Sequence, residues 1–395
     1  MNDHAMTPRQ LELLRLIRGQ GTATRRELAG QMGLSPSQVS RLAVDLIAAG
    51  FVEVADSSSA AFGRPPDLLR LGGDTWFVVG MEVGAGRVRS VLANLRGEPC
   101  FRLDEPIPDV AGRDAAVEAL AEAITRLIDR SGVAPAHVVG LGLGLYAVVD
   151  PVDGVVVDWS EHPGWSGWWR DYGLRRALAD RFGLRTVVVD DAVRMTAIAE
   201  AAVRLEPRSS DFLFVLADTG VGASFCTGGR PYLGPLRLAG EIGHVVVEPG
   251  AEPCPCGRRG CLEAVASLKA VERRIGRDAL AAAFEPGAAN PVLARAGAQL
   301  GAVLAPIVSL LFPPLLILGG RLAAADSYVS AMAGTLAVTA HPRAVAGLRI
   351  ERAQGGIDSG DRGAGAAVLD RWFAADGPMR AERAELVSVG GGLSS

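Results

Sequence analysis

One histidine and three cysteines fall within eighteen residues: His244, Cys254, Cys256 and Cys261. An imidazole and three thiolates are the donor set of a closed, tetrahedral zinc site. Cys254 and Cys256 are one residue apart, too close for an easy disulfide between them, and Gly257 and Gly260 let the chain wrap an ion. Four protein donors leave no open position, so the zinc would be structural. The competing reading is three free cysteines beside a core histidine. Five cysteines in 395 residues are too few for a disulfide scaffold, and clustering of three in a reducing compartment favours metal.

A second set of polar side chains stands near the N-terminus: Ser37, Gln38, Ser40 and Arg41. At the start of a helix they would reach base edges in a DNA major groove, with Arg41 able to bind guanine through two hydrogen bonds. Three helix starts position them. Thr7-Pro8-Arg9-Gln10, Thr24-Arg25-Arg26-Glu27 and Ser35-Pro36-Ser37-Gln38 all carry the capping-box pattern. Leu11, Leu14 and Ile17 make one apolar stripe, Leu28 and Met32 a second, and Val39, Leu42, Leu46 and Ile47 a third. Gly33 marks the turn, giving the helix-turn-helix layout. Strands over 51–54 and 68–71 would flank a wing whose Arg64 enters a minor groove. A helical protein-binding module is the other reading; agreement of caps, turn and wing favours DNA.

Net charge is −4, but residues 1–72 hold eight arginines against seven acids, about +1, which leaves about −5 for the remainder. That asymmetry is a weak pointer to nucleic acid. The apolar runs are broken by Gly and Arg, so no membrane insertion is expected, and a start with Asp3 and His4 is no signal peptide. These features predict a cytoplasmic protein of two or three domains.

Beyond Trp76 strands alternate with helices. Strands are expected over 77–83, 90–95, 138–143, 186–189 and 212–216, with helices over 115–128 and 192–204. This is an α/β pattern whose strand-end loops are available to a ligand.

The 240–263 stretch, Gly240-Glu241-Ile242-Gly243-His244 followed by the three cysteines and Glu263, resembles the signature of the ROK family of repressors and sugar kinases. Asp218-Thr219-Gly220-Val221-Gly222-Ala223 resembles that family's second phosphate loop, 309–320 its late helix-to-strand segment, and Gly63-Arg64-Pro65 the wing of its repressor branch. The resemblance implies a winged helix-turn-helix followed by a two-lobed, actin-like ATPase domain of the sugar kinase and ribonuclease H type. The expected division is 1–72 for the DNA-binding domain, 74–190 with a C-terminal helix at about 358–380 for the first lobe, 191–357 for the second, and 381–395 as a flexible tail.

The resemblance also implies site residues. It places zinc on His244, Cys254, Cys256 and Cys261, and sugar contacts on Glu241, His244 and Glu263. Asp191 matches the kinases' catalytic base. Each carboxylate can accept two hydroxyls, and His244 could face zinc with one ring nitrogen and sugar with the other. The chain departs from the kinases in its first phosphate loop, where Glu82-Val83-Gly84-Ala85-Gly86-Arg87 stands for Asp-x-Gly-Gly-Thr. Phosphoryl transfer rests on positioning, so this change implies that ATP is neither held tightly nor hydrolysed. Asp190 and Glu161 replace two amides of the family, and such extra carboxylates suit a neutral or amino sugar better than a phosphosugar. Trp159, Trp165, Trp168 and Trp169 read mainly as core or interface.

The expectation is a sugar-responsive repressor, homodimeric or homotetrameric, on a palindromic double-stranded operator. An active sugar kinase that has kept a DNA-binding head, and a regulator governed by a protein partner, are the alternatives.

Overall fold

The computed structural model describes residues 6–55, 68–84, 86–108, 110, 112–158, 171–204, 211–285, 287–355 and 359–374. The chain divides into two compact units. One runs from the N-terminus to Leu71 and includes the chain from Asp370; the other is Gly72–Leu369.

In the first unit, α1 (Pro8–Gln20), α2 (Arg25–Met32) and α3 (Pro36–Ala48) each open on a complete capping box. Thr7 exchanges hydrogen bonds with Gln10, Thr24 with Glu27 and Ser35 with Gln38. Each cap satisfies otherwise orphaned backbone N–H groups and stabilises its helix by about 1 kcal/mol. Gly33, left-handed at φ 64°, ends α2 and turns the chain into α3. Leu11, Leu14, Ile17, Leu28, Val39 and Leu46 close the core between the helices.

A three-stranded antiparallel sheet of β1 (Thr22–Thr24), β2 (Val52–Ala55) and β3 (Leu68–Leu71), ordered β1-β3-β2, completes this unit. The sequence reading missed β1, whose three residues are too short a run for alternation to be diagnostic and which pairs with β3. Residues 370–373 also pack here. Trp372 stacks on Phe51 at 5.9 Å, and Arg18 pairs with Asp370 at 2.5 Å.

The second unit holds two five-stranded sheets of like design. The first contains β4 (Phe77–Gly84), β5 (Arg87–Asn94), β6 (Pro99–Pro106), β7 (Val138–Leu145) and β10 (Thr186–Asp191), in the order β10-β7-β4-β5-β6. A small hairpin of β8 (Val148–Asp150) and β9 (Val155–Asp158) stands beside it. The second sheet contains β11 (Phe212–Ala217), β12 (Val221–Thr227), β13 (Arg230–Pro231), β14 (Leu315–Gly319) and β15 (Arg349–Arg352), in the order β13-β12-β11-β14-β15. In each sheet a parallel core carries an antiparallel hairpin on one flank.

Helices cover the sheets, so β4, β7 and β11 are apolar and buried nearly throughout. Against the first sheet lie α4 (Arg113–Ser131), α5 (Leu174–Phe182) and the buried start of α13 (Gly360–Phe373). Close packing of α13 needs glycine beneath it. A Cβ at Gly80 would meet Asp361 O at 2.0 Å, and one at Gly142 would meet Ala364 O at 2.1 Å.

Helix α6 (Ala192–Val203) follows β10 directly. Beside the second sheet are α7 (Leu262–Ala266), α8 (Leu268–Ile275), α9 (Arg277–Ala282), α10 (Pro291–Leu311), α11 (Asp326–Thr339) and α12 (Pro342–Ala346). Among the described residues, α10 alone is long and apolar enough to cross a membrane by length and composition. Nine of its residues are instead buried in this core.

Candidate functional site

The ends of β7, β10 and β11 open on a cleft in the second unit. Asp191, Glu241, His244 and Glu263 line it together, along with Tyr146, which the sequence reading did not single out. Asp191 is both the last residue of β10 and the N-cap of α6, which explains its placement at a strand end. Glu263 lies in the first turn of α7, where its Oε2 accepts the backbone N–H of Val221 at 3.0 Å. The remaining lone pairs of these carboxylates give the cleft acceptors for several hydroxyls.

Asp190 takes a different direction. It does not line the cleft; its carboxylate meets Arg194, a residue 2 % exposed in the first turn of α6. Arg194 Nη2 is 2.5 Å and Nε 2.7 Å from Asp190 Oδ1, and Nη1 is 2.7 Å from Asp191 Oδ2. Nη2 also donates to Val149 O at 2.9 Å. One guanidinium therefore ties β10, α6 and β8 together. Burial pushes the Asp190 carboxyl up to about 7, against the pull of Arg194 in the other direction. Arg194 itself is held firmly protonated: burial works against its charge, but Asp191 and Asp190 outweigh that. Sequence inspection passed over this arginine, though its spacing of three and four residues from two acids was the available signal.

His244, Cys254, Cys256 and Cys261 converge behind the cleft, with their four donor atoms within 4.8 Å of one another. The Cys256 and Cys261 sulfurs are 3.6 Å apart, and His244 Nδ1 is 3.4 Å from Cys254 Sγ. Zinc–sulfur bonds of about 2.3 Å in a tetrahedron require sulfur separations of roughly 3.8 Å, so the residues fit a zinc ion. The three thiols differ in acidity. Burial pushes Cys254 up to about 12, whereas for Cys256 burial is outweighed by the backbone N–H of Arg258, which brings it down to about 6. On the other side of the imidazole, His244 Nε2 stands 3.7 Å from Glu241 Oε2. The ring thus faces the cysteines with one nitrogen and the cleft carboxylate with the other.

Two loops that the resemblance associates with phosphates carry internal ion pairs. Glu82 is 2 % exposed and pairs with Arg89, its cross-strand neighbour on β5; Tyr146 Oη also donates to Glu82 at 3.2 Å. Burial raises the Glu82 carboxyl, with Arg89 working against that. Asp218, at the end of β11, pairs with Arg321. Ala85, within the first loop, lies outside the described residues, as do Glu161 and the four tryptophans between 159 and 169.

In the first unit, Ser37, Gln38 and Arg41 are exposed along α3, and Ser40 is half-buried. The Gln38 carbonyl oxygen accepts from Ser35 N at 2.9 Å and from Ser35 Oγ at 2.8 Å, so it is spent on the cap and its amide NH₂ is what faces outward. Val44 is 59 % exposed, one turn beyond Ser40 and Arg41. Its place one turn along the same face, at the 37–41–44 helical spacing, was not singled out from the sequence. Arg64 lies outside the described residues.

A ROK family model matches residues 78–371, three quarters of the chain. The chain belongs to the ROK family. A MarR family model matches residues 5–60, so the N-terminal unit is a helix-turn-helix head on a ROK body. Over 331 residues the chain is 27 % identical to the DNA-binding transcriptional dual regulator NagC of Escherichia coli, covering 79 % of this chain and 80 % of that one. The solved structure of a ROK family transcriptional regulator, a homolog of the E. coli MLC protein, superposes with a TM-score of 0.74 at 22 % identity, over 92 % of this chain and 95 % of that one. The body alone matches the ROK hexokinase of Thermus thermophilus at 28 % identity and a TM-score of 0.57, over 73 % of this chain and 97 % of that one. The chain thus joins a MarR-type helix-turn-helix head to a ROK body.

Proposed function

We propose that this ROK protein represses carbohydrate genes by holding an operator through α3, and lets go when a neutral or amino sugar enters the cleft. The observation that carries this reading is the state of Asp191. Both of its carboxylate oxygens are engaged by Arg194, one by the backbone N–H at 2.8 Å and one by Nη1 at 2.7 Å. A carboxylate held from both oxygens is a fixed hydrogen-bond partner whose direction is set before any sugar arrives, which suits sensing. Glu241 and Glu263 keep the cleft acidic and disfavour a phosphosugar.

His244, Cys254, Cys256 and Cys261 would hold a structural zinc, which fixes the imidazole and through it the Glu241 side of the cleft. Ser37, Gln38, Arg41 and Val44 would read the operator from α3, with Arg64 in the wing, as a homodimer or homotetramer on two half-sites. The domain division proposed is a head, a first lobe on the β4–β10 sheet and a second lobe on the β11–β15 sheet. The sugar must favour one arrangement of these parts, since a ligand of equal affinity for both shifts nothing.

The test is a thermal-shift screen of the zinc-replete protein against neutral sugars, amino sugars and their phosphates, with and without Mg-ATP. Stabilisation by a sugar with no effect of ATP supports the sensor. Sugar-dependent ATP turnover at ordinary kinase rates replaces it with an active kinase carrying a DNA-binding head. Operator binding that no sugar alters transfers control to a protein partner.

A further inference from the structure

Asp218 closes the loop after β11 upon itself. Its Oδ1 accepts the backbone N–H of Thr219 at 2.7 Å, and its Oδ2 accepts the backbone N–H of Arg321 at 2.8 Å. The Arg321 guanidinium completes the set, with Nη2 2.5 Å and Nε 3.0 Å from Oδ1. Strands β11 and β14 are parallel neighbours, so the two amides come from the loops at their carboxyl ends, where α/β sheets hold ligands. The loops are pressed together: Gly320, at φ 84°, lies so close that a Cβ would meet Ala217 O at 2.3 Å.

Two convergent backbone N–H groups and an arginine fork form the donor set that binds a phosphate oxygen. Here every one of those donors already meets a carboxylate of the same chain. Such a tethered anion competes at an effective concentration that a free ligand reaches only near the millimolar range or above. The Glu82–Arg89 ion pair is a second cation neutralised within the same unit.

We infer that Asp218 is a resident anion: its carboxylate fills an oxyanion cradle made by Thr219 N–H, Arg321 N–H and the Arg321 guanidinium, and excludes polyphosphate from this end of the cleft. Removing the carboxylate uncovers a polyphosphate-binding site that the wild-type chain conceals. This rests on the nucleotide-independent reading of the cleft given above and supplies its physical cause.

The experiment uses the full-length, zinc-replete chain and its Asp218→Gly, Asp218→Asn and Asp218→Gly/Arg321→Ala variants. Calorimetric titration with inorganic tripolyphosphate and with Mg-ATP gives the affinity, and thermal melting of each variant checks its folding. The expected result is at least a tenfold gain in tripolyphosphate affinity for Asp218→Gly, lost again when Arg321→Ala is added. Asp218→Asn keeps the local shape and loses only the charge; it shows a smaller gain and stands in if the glycine variant does not fold. A wild-type chain that binds tripolyphosphate as tightly as the variants overturns the inference, and so does a folded Asp218→Asn with no gain. Sugar-induced stabilisation recorded on the same wild-type sample keeps the two readings apart. Its loss refutes the sensor, while its persistence with no gain in the variants refutes only the resident anion.

Discussion

Arg194 Nη1 stands 2.7 Å from Asp191 Oδ2, and the backbone N–H of the same arginine donates to Asp191 Oδ1 at 2.8 Å. The side chain at the position of a kinase base is therefore fixed from both oxygens by its own helix. Its free lone pairs still face the cleft, so Asp191→Asn should weaken sugar binding by about tenfold to a hundredfold, the scale of one charge-assisted hydrogen bond. Zinc content and sugar-free operator binding should not change. Titration calorimetry with the sugar found by screening reads the first, and metal analysis with operator gel shifts reads the others. An unchanged sugar affinity would remove Asp191 from the binding set.

Breaking the same contact from the other side should act on stability. Arg194→Ala leaves Asp190 and Asp191 as adjacent buried carboxylates with no cation between them. Loss of one member of a buried pair costs about 3–5 kcal/mol, so a large fall in the urea midpoint is expected. A loss under about 1 kcal/mol would mean that water reaches the pair.

Asp190 gives a pH signature. Its folded carboxyl is raised by burial to about 7 from an ordinary value of 3.8, so between those values the native state binds the proton that the unfolded state has released. Stability contributed by such a group is present below the unfolded value and declines as pH rises toward the folded one. The difference in melting temperature between the wild type and Asp190→Asn should therefore fall from about pH 4 to pH 7 and level off above. A flat difference would show Asp190 fully ionised in the fold across that range.

What the sequence made legible was local. The cluster of His244 with three cysteines lies within one short segment, and each capping box spans four residues, so residue type and spacing were enough to find them. Contacts across long separations were not legible. Asp218 could be named as part of a phosphate-loop pattern, but its partner Arg321 is 103 residues away. Arg194 looked like an ordinary helix charge because only the fold shows that both neighbouring acids turn toward it. Strand β1 is three residues long, too short to be read from its pattern, and is defined by its pairing with β3.

Cys256 tests the zinc set. It is the exposed member of the four, and Cys254 and Cys261 are buried. Cys256→Ser should lower zinc stoichiometry from one per chain and lower the melting temperature. Structural zinc contributes folding free energy directly, and loss of one thiolate of four weakens that contribution. The sugar response should fall as well, because His244 Nε2 faces Glu241 while Nδ1 faces the cysteines. Inductively coupled plasma mass spectrometry gives the stoichiometry. A variant that keeps one zinc per chain would exclude Cys256 from the ligands.

Arg41 tests the head independently of the body. It is exposed in the second turn of α3, on the face that also carries Ser37 and Val44. An arginine that binds a guanine edge through two hydrogen bonds contributes about 1–3 kcal/mol of discrimination, so Arg41→Ala should weaken operator binding by roughly tenfold to a hundredfold. Binding to unrelated DNA should fall far less, because the phosphate contacts elsewhere remain. Val44→Ala should cost less than Arg41→Ala, and its loss should concentrate at a thymine in the half-site. Fluorescence anisotropy with operator and scrambled duplexes separates these effects, while sugar-induced stabilisation stays at the wild-type level. Equal losses on both duplexes would assign Arg41 to the phosphate backbone, and loss of the sugar response would break the separation of head from body on which the assignment of α3 depends.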